Sequence, residues 1–223
     1  MTKVAILVDG GFYRRISNNV KGHKTAKEKA DELYGYCLRH LKGIHKEDEY
    51  DELYRIFYYD SAPLNKVVYH PLTKKNIDFS RLDSKKWAED FYSELSRKRK
   101  VALRFGELSD GSAAYNIKAE TTKKLLKGSK KIEDLQEHDL SLNVQQKGVD
   151  MRIGLDIATL AFKNQVDKIV LIAGDSDFVP AAKLARREGI DFMLDSLGNN
   201  IKDSLSMHID GRRTCDNDYI KRY

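Results

Sequence analysis

A chain of 223 residues with 41% apolar content can bury one good core, and a second full domain is not expected. The 40 Lys and Arg against 34 Asp and Glu leave a formal charge of +6 and a pI near 9.1, which suits a polyanionic partner, nucleic acid first, without establishing one. Two widely separated cysteines, Cys37 and Cys215, exclude a zinc motif; no apolar run reaches the ~18 residues of a membrane helix and no signal-peptide pattern opens the chain, so a soluble cytoplasmic protein is expected.

Val4 to Val8 reads as a buried strand that stops at Asp9-Gly10-Gly11, followed by Phe12-Tyr13-Arg14-Arg15. Thr25-Ala26-Lys27-Glu28 has capping-box spacing and predicts a helix from about Thr25 to Lys42, with Cys37 packed on it. Leu53 to Asp60, rich in aromatic and β-forming residues, is a second strand ending in an acid. Pro63 and Pro71 bracket an expected loop. Ser84 to Arg99 places Trp87, Phe91 and Leu95 at helical spacing, and Val101 to Leu108 is a third strand.

Residues 109–146 read as a Lys-rich insertion with short helices or a hairpin, opening on Asp110-Gly111-Ser112 and partly mobile until something binds. A helix then runs from Val149 to Phe162, with Asp150 in its first turn and Asp156 nearly two turns on. Lys168 to Ile172 is a strand that stops at Gly174-Asp175-Ser176-Asp177, a helix follows from Phe178 to Glu188, and Ile190 to Leu194 is expected to be the last strand. The tail at about 203–223, with Asp210, carries no assignable conformation. Strands alternating with helices predict an α/β fold with a mostly parallel central sheet, helices on both faces and one domain over 1–223.

Ligands in such sheets bind where strand carboxyl ends open into loops. If the sheet brings those ends together, Asp9, Asp150, Asp175 and Asp177 form an acidic pocket in a basic protein, and mutual repulsion calls for a cation. Oxygen-only ligands favour Mg²⁺ or Mn²⁺ over zinc. Each acid also has a structural use: Asp9 opens a turn with Gly10, Asp150 favours a helix N-terminus and Asp177 caps the next helix. Ser176 lacks a G-x-S-x-G elbow and reads as a turn residue or loop hydrogen-bond donor. Six histidines, His23, His40, His45, His70, His138 and His208, show no ligand spacing, and most are expected at the surface.

Val8-Asp9-Gly10-Gly11-Phe12, Lys147-Gly148-Val149-Asp150 and Ala173-Gly174-Asp175-Ser176-Asp177-Phe178-Val179-Pro180 together resemble the NYN domain, the LabA-like branch of the PIN-like nuclease superfamily, over about Lys3 to Asp210. The resemblance implies a PIN-like three-layer fold and metal-dependent RNA cleavage, an endoribonuclease leaving 5′-phosphate and 3′-hydroxyl ends. It implies Asp9 and Asp175 as metal ligands, Asp150 as a ligand or the group that orients water, and Asp177 at a second metal or behind the first. Asp156 matches a frequent family acid. Phe12 stands where many members have Asn, so an amide near the metal is missing.

For RNA, Arg14, Arg15, Lys147, Ser176 and the insertion lysines are the expected contacts, with Tyr58, Tyr59 and Tyr115 as candidates to stack on bases, at most one of the first two. The bland reading of the lysine runs is a solvated face. Two other functions fit the same residues: a non-catalytic RNA-binding or regulatory protein that keeps the fold, and a metal-dependent phosphatase on small phosphates. A homodimer or an inhibitory protein partner would supply the control a ribonuclease needs, although no motif encodes either.

Overall fold

The computed structural model describes residues 1–43, 50–108, 113–144 and 146–220. In chain order these form β1 (Lys3–Asp9), α1 (Gly10–Lys21), α2 (Ala26–Arg39), β2 (Glu52–Ser61), β3 (Val67–His70), β4 (Lys75–Asp78), α3 (Asp83–Ser96), β5 (Val101–Leu108), β6 (Ala114–Ile117) and α4 (Ala119–Leu126). They continue with β7 (Leu140–Asn143), β8 (Gln146–Lys147), α5 (Val149–Phe162), β9 (Lys168–Ile172), α6 (Val179–Arg187), β10 (Asp191–Asp195), α7 (Asp203–Ser206), β11 (Gly211–Arg212) and α8 (Asn217–Ile220).

The central sheet has the order β11-β10-β9-β1-β2-β5-β8, and every neighbouring pair is parallel except β5 with β8. Because successive side chains leave opposite faces, Val4, Ile6, Val8, Ile56, Tyr58, Val170 and Ile172 pack under α1, α2 and α3. On the other face Ala5, Leu7, Phe57, Tyr59, Ile169 and Leu171 pack under α5 and α6. This is the expected three-layer α/β arrangement. Burying such side chains contributes about 1.5–3 kcal/mol each, which holds the central strands in register.

The chain runs from β1 outward through β2 to β5, then returns to lay β9 on the other side of β1. That reversal puts the carboxyl ends of β1 and β9 side by side, Val8 opposite Ile172, at a topological switch point. α2 begins with the predicted capping box, in which Thr25 and Glu28 satisfy each other's backbone amides.

Several expectations need correction. In place of a loop bracketed by Pro63 and Pro71, Val67–His70, which has strand propensity, forms β3 and pairs antiparallel with β4, and Pro71 sits in the turn between them, where a fixed φ is an advantage. β10 is not the last strand, since Gly211 and Arg212 of the tail add β11 beside it. Tyr58 and Tyr59 do face opposite sides, but both are wholly buried, so neither stacks on a base. His23 and His138 are exposed and His208 half-buried, as expected of most histidines, whereas His40 and His70 are buried and His45 lies outside the described residues. Within 109–146 the structure has the hairpin strands β6 and β7 with α4 between them, and the Tyr115 ring lies 4.2 Å from His70 of the neighbouring hairpin. Asp110-Gly111-Ser112 lies outside the described residues.

Candidate active site

Asp9, Asp150 and Asp175 line one pocket of about 550 Å³ at the switch point, with Arg15, Ser176 and Lys202 around them. Each acid arrives on a different element for a local reason. Asp9 ends β1 and caps α1, its Oδ1 accepting the Phe12 N–H at 3.0 Å. Asp150 lies in the first turn of α5, which starts after Gly148 in a left-handed conformation. Asp175 follows β9 and caps the short turn into α6, accepting the Asp177 N–H at 3.1 Å.

The structural uses foreseen for Asp9 and Asp150 are therefore present along with the clustering. For Asp177 they are not: the capping bond is made by Asp175, and Asp177 donates to it. The N-terminal ends of two long helices, α1 and α5, meet at this pocket. Their unpaired N–H groups and dipoles favour negative charge there, whether carboxylate or phosphate.

The electrostatics fit a cation site. Burial pushes the Asp9 carboxyl above its ordinary range, and the charges of Asp150 and Asp60 push it further, against the hydrogen bond from Phe12. Burial also raises Asp150, helped by Asp175 and Asp177. Asp177 thus adds its field without being part of the pocket lining. Among the described residues, however, no three His, Cys, Asp or Glu side chains converge closely enough to hold an ion between them. A wide oxygen-only pocket suits a hydrated Mg²⁺, which keeps several waters and takes only one or two carboxylates directly, better than a closed four-ligand zinc centre.

Phe12 does not leave a hole where an amide is missing. Its ring is 9% exposed, belongs to the core under α1, and forms a wall of the pocket against Gly174. A Cβ at Gly174 would come within 2.6 Å of that ring, so the glycine is what lets the Asp175 loop approach. Gly10 is equally constrained, because a Cβ there would lie 2.4 Å from the Tyr58 ring. Asp9 itself is oriented by the Phe12 backbone N–H.

The other expected residues separate cleanly. Arg15 is exposed, lines the pocket and has no ion-pair partner among the described residues. Arg14 is held elsewhere, its guanidinium 2.8 Å from Asp60 and hydrogen-bonded to the Tyr92 hydroxyl. Ser176 accepts a hydrogen bond from Lys202 Nζ at 3.0 Å. Lys147 is exposed on the edge strand β8 and does not line the pocket. Asp156 points away, accepting from the Tyr59 hydroxyl at 2.7 Å and from Arg104 at 3.3 Å. Asp210 pairs with Arg186 and accepts the Phe192 N–H, tying the tail to α6 and β10.

Lys202 was not foreseen, because it sits in an irregular stretch after β10 with no local signature. Alongside the acid pocket lies a larger cavity of about 670 Å³, sharing Gly11 and Arg15 with it and bounded by Asp60, Ser61, Trp87 and Tyr92.

The model of the NYN domain family matches residues 76–210, more than half of the chain. The match takes in Asp150, Asp175 and Asp177 and leaves the Asp9 segment outside it. No curated protein matches the chain significantly. Among solved structures, a protein of unknown function from Vibrio parahaemolyticus aligns over 97% of this chain and 94% of its own at 15% identity, with a TM-score of 0.48. So distant a likeness carries no argument about activity.

Proposed function

The chain belongs to the NYN domain family, and from that membership we propose that it is a divalent-metal-dependent ribonuclease that hydrolyses RNA phosphodiester bonds at Asp9, Asp150 and Asp175, with Asp177 shaping the field around them. NYN domains are nuclease-like, which makes a hydrolase acting on a phosphodiester the starting point. The observation that carries the reading is that three carboxylates, from three separate elements, line one wide pocket with only Arg15 and Lys202 as cations among its described lining.

When bound, Mg²⁺ or Mn²⁺ supplies activated water and stabilises charge on the phosphate and leaving oxygen. The chain's own residues position and attract. Phe12 N–H fixes the Asp9 carboxylate, and Asp9, Asp150 and Asp175, each on a different element, would hold the metal. Arg15 and Lys202 draw the RNA phosphate toward the pocket, and Ser176 aligns Lys202. Arg14 serves this site indirectly, by holding Asp60, and Lys147 and the insertion lysines steer RNA from outside it. One domain over 1–223 and a cytoplasmic location belong to the same proposal.

End-labelled single-stranded RNA incubated with the protein in Mg²⁺, Mn²⁺ or EDTA, beside Asp175→Asn, tests it. Cleavage that needs metal and is lost in a folded variant is the expected result. A second reading, RNA binding without cleavage, draws on the lack of a three-carboxylate cluster among the described residues. Retention of RNA with no cleavage in either metal would establish that reading and overturn the first. Hydrolysis of small phosphomonoesters in place of RNA would overturn both.

A further inference from the structure

We propose that the larger cavity beside the acid pocket is a subsite for one unpaired nucleobase of single-stranded RNA, that of the nucleotide flanking the scissile phosphate. This rests on the ribonuclease reading and narrows it to a substrate with an unstacked base at the cut.

Four observations carry it. The cavity is continuous with the acid pocket through Gly11 and Arg15, so a chain with its phosphate at the acids has its neighbouring base at the cavity mouth. Its volume of about 670 Å³ lies within the range of small-ligand clefts, with room for a base and its sugar but not for a duplex. Trp87 lines it as an apolar platform: one face is already stacked on Phe91 at an interplanar angle of 5°, and its Nε1 is used by the Lys24 carbonyl, so the indole offers stacking and no hydrogen bond. Finally, Asn18 and Ser61, both lining the cavity, carry buried side-chain oxygens, Oδ1 and Oγ, with no partner among the described residues. An unmet acceptor and a hydroxyl that gives or takes a proton, on the wall of one cavity, are the groups that bind the edge of a base.

The charges favour a base over a bare phosphate. Arg14 is neutralised by Asp60 and Lys24 by Glu32, which leaves Arg15, at the boundary with the acid pocket, as the arginine without an ion-pair partner among the described residues lining the cavity. Phosphate is therefore drawn to the boundary, and the interior is left to an uncharged ring.

Trp87 is the sole tryptophan of the chain, so its fluorescence reports occupancy of the cavity directly. The experiment titrates Asp175→Asn in Mg²⁺ with a short single-stranded RNA, the same RNA as a duplex, and the four nucleoside monophosphates. Fluorescence is followed alongside anisotropy of end-labelled RNA. Single-stranded RNA should quench saturably with the midpoint seen by anisotropy, the duplex should not, and monophosphates should bind far more weakly.

Ala62→Phe, at an exposed position on the cavity wall, should weaken the quenching interaction by about tenfold and leave the circular dichroism spectrum unchanged. RNA binding without quenching, or the same affinity in Ala62→Phe, would overturn the subsite even if the wild-type protein cleaves RNA. Monophosphates that quench as tightly as RNA would replace it with a free-nucleotide site. Loss of cleavage activity by the wild type, with quenching retained, would overturn the ribonuclease and keep the pocket.

Discussion

Acids end four neighbouring strands of this sheet, and they fall into two groups that look alike in sequence. Asp60 and Asp195, at the ends of β2 and β10, are 1% and 0% exposed, and the protein supplies their partners. Asp60 is held by Arg14, the Tyr58 hydroxyl at 2.9 Å and the Ser61 N–H. Asp195 accepts from Tyr36, His40, Thr214 and the Leu197 N–H. Asp9 at the end of β1 and Asp175 after β9 are held by backbone amides alone and face another carboxylate across a pocket. A strand-end acid is thus a structural anchor where its counter-charge is built in, and a candidate metal ligand where it is not.

The largest expected effect that separates the two groups is on stability. Asp195→Ala removes the carboxylate that pairs with buried His40 and takes the Tyr36 hydroxyl proton, and should cost about 3–5 kcal/mol in urea unfolding. A loss below about 1 kcal/mol would mean that Asp195 is no anchor. Asp175→Asn should do the reverse, lowering metal-dependent RNA cleavage by about 100-fold or more while the thermal midpoint stays within a few degrees. Unfolding in place of inactivation would place Asp175 with the anchors.

The anchor network also predicts a pH dependence. Burial lowers the His40 pKa, but the hydrogen bond to Asp195 and the neighbouring Cys215 more than reverse this, and it settles at about 9 against an ordinary 6.5. The fold therefore holds the proton more tightly than the unfolded chain. The contribution is complete below about pH 6.5 and lost as pH rises through about 9. Urea midpoints from pH 6 to 10 should fall over that window and flatten in His40→Gln.

The smallest effect tests the under-neutralised group. Asp150→Asn removes one carboxylate and should lessen the stabilisation gained on adding Mg²⁺, while in EDTA solvent screening of this exposed group and its place at the α5 N-terminus leave little net change. An unchanged Mg²⁺ stabilisation would remove Asp150 from the metal site.

Much of the frame was legible because its signals are local. The α2 capping box, the apolar runs of β1 and β9 and the Trp87-Phe91-Leu95 spacing each identify an element without its neighbours. The order of the strands followed from their alternation with helices, and the clustering of Asp9, Asp150 and Asp175 from that order. What could not be read depends on partners far along the chain. Nothing local to Asp60 or Asp195 says that Arg14 or His40 will meet them, and Tyr59 gives no sign that Asp156 will take its hydroxyl. Lys202 reaches the pocket only because the chain after β10 turns back toward β9. β3 was hidden because Pro71 signals a break and does not reveal that the break is a hairpin turn.

The placement of β1 between β2 and β9 has a consequence for the order in which the protein matures. The first acid leaves the ribosome at residue 9, but the strand that brings Asp175 beside it begins at Lys168. Until then β1 lacks one of its two neighbours, and long-range parallel pairing of this kind forms slowly. A nascent or prematurely terminated chain carries Asp9, and further on Asp150, with no third acid to meet them. The pocket is complete only once the chain has been made as far as Asp175.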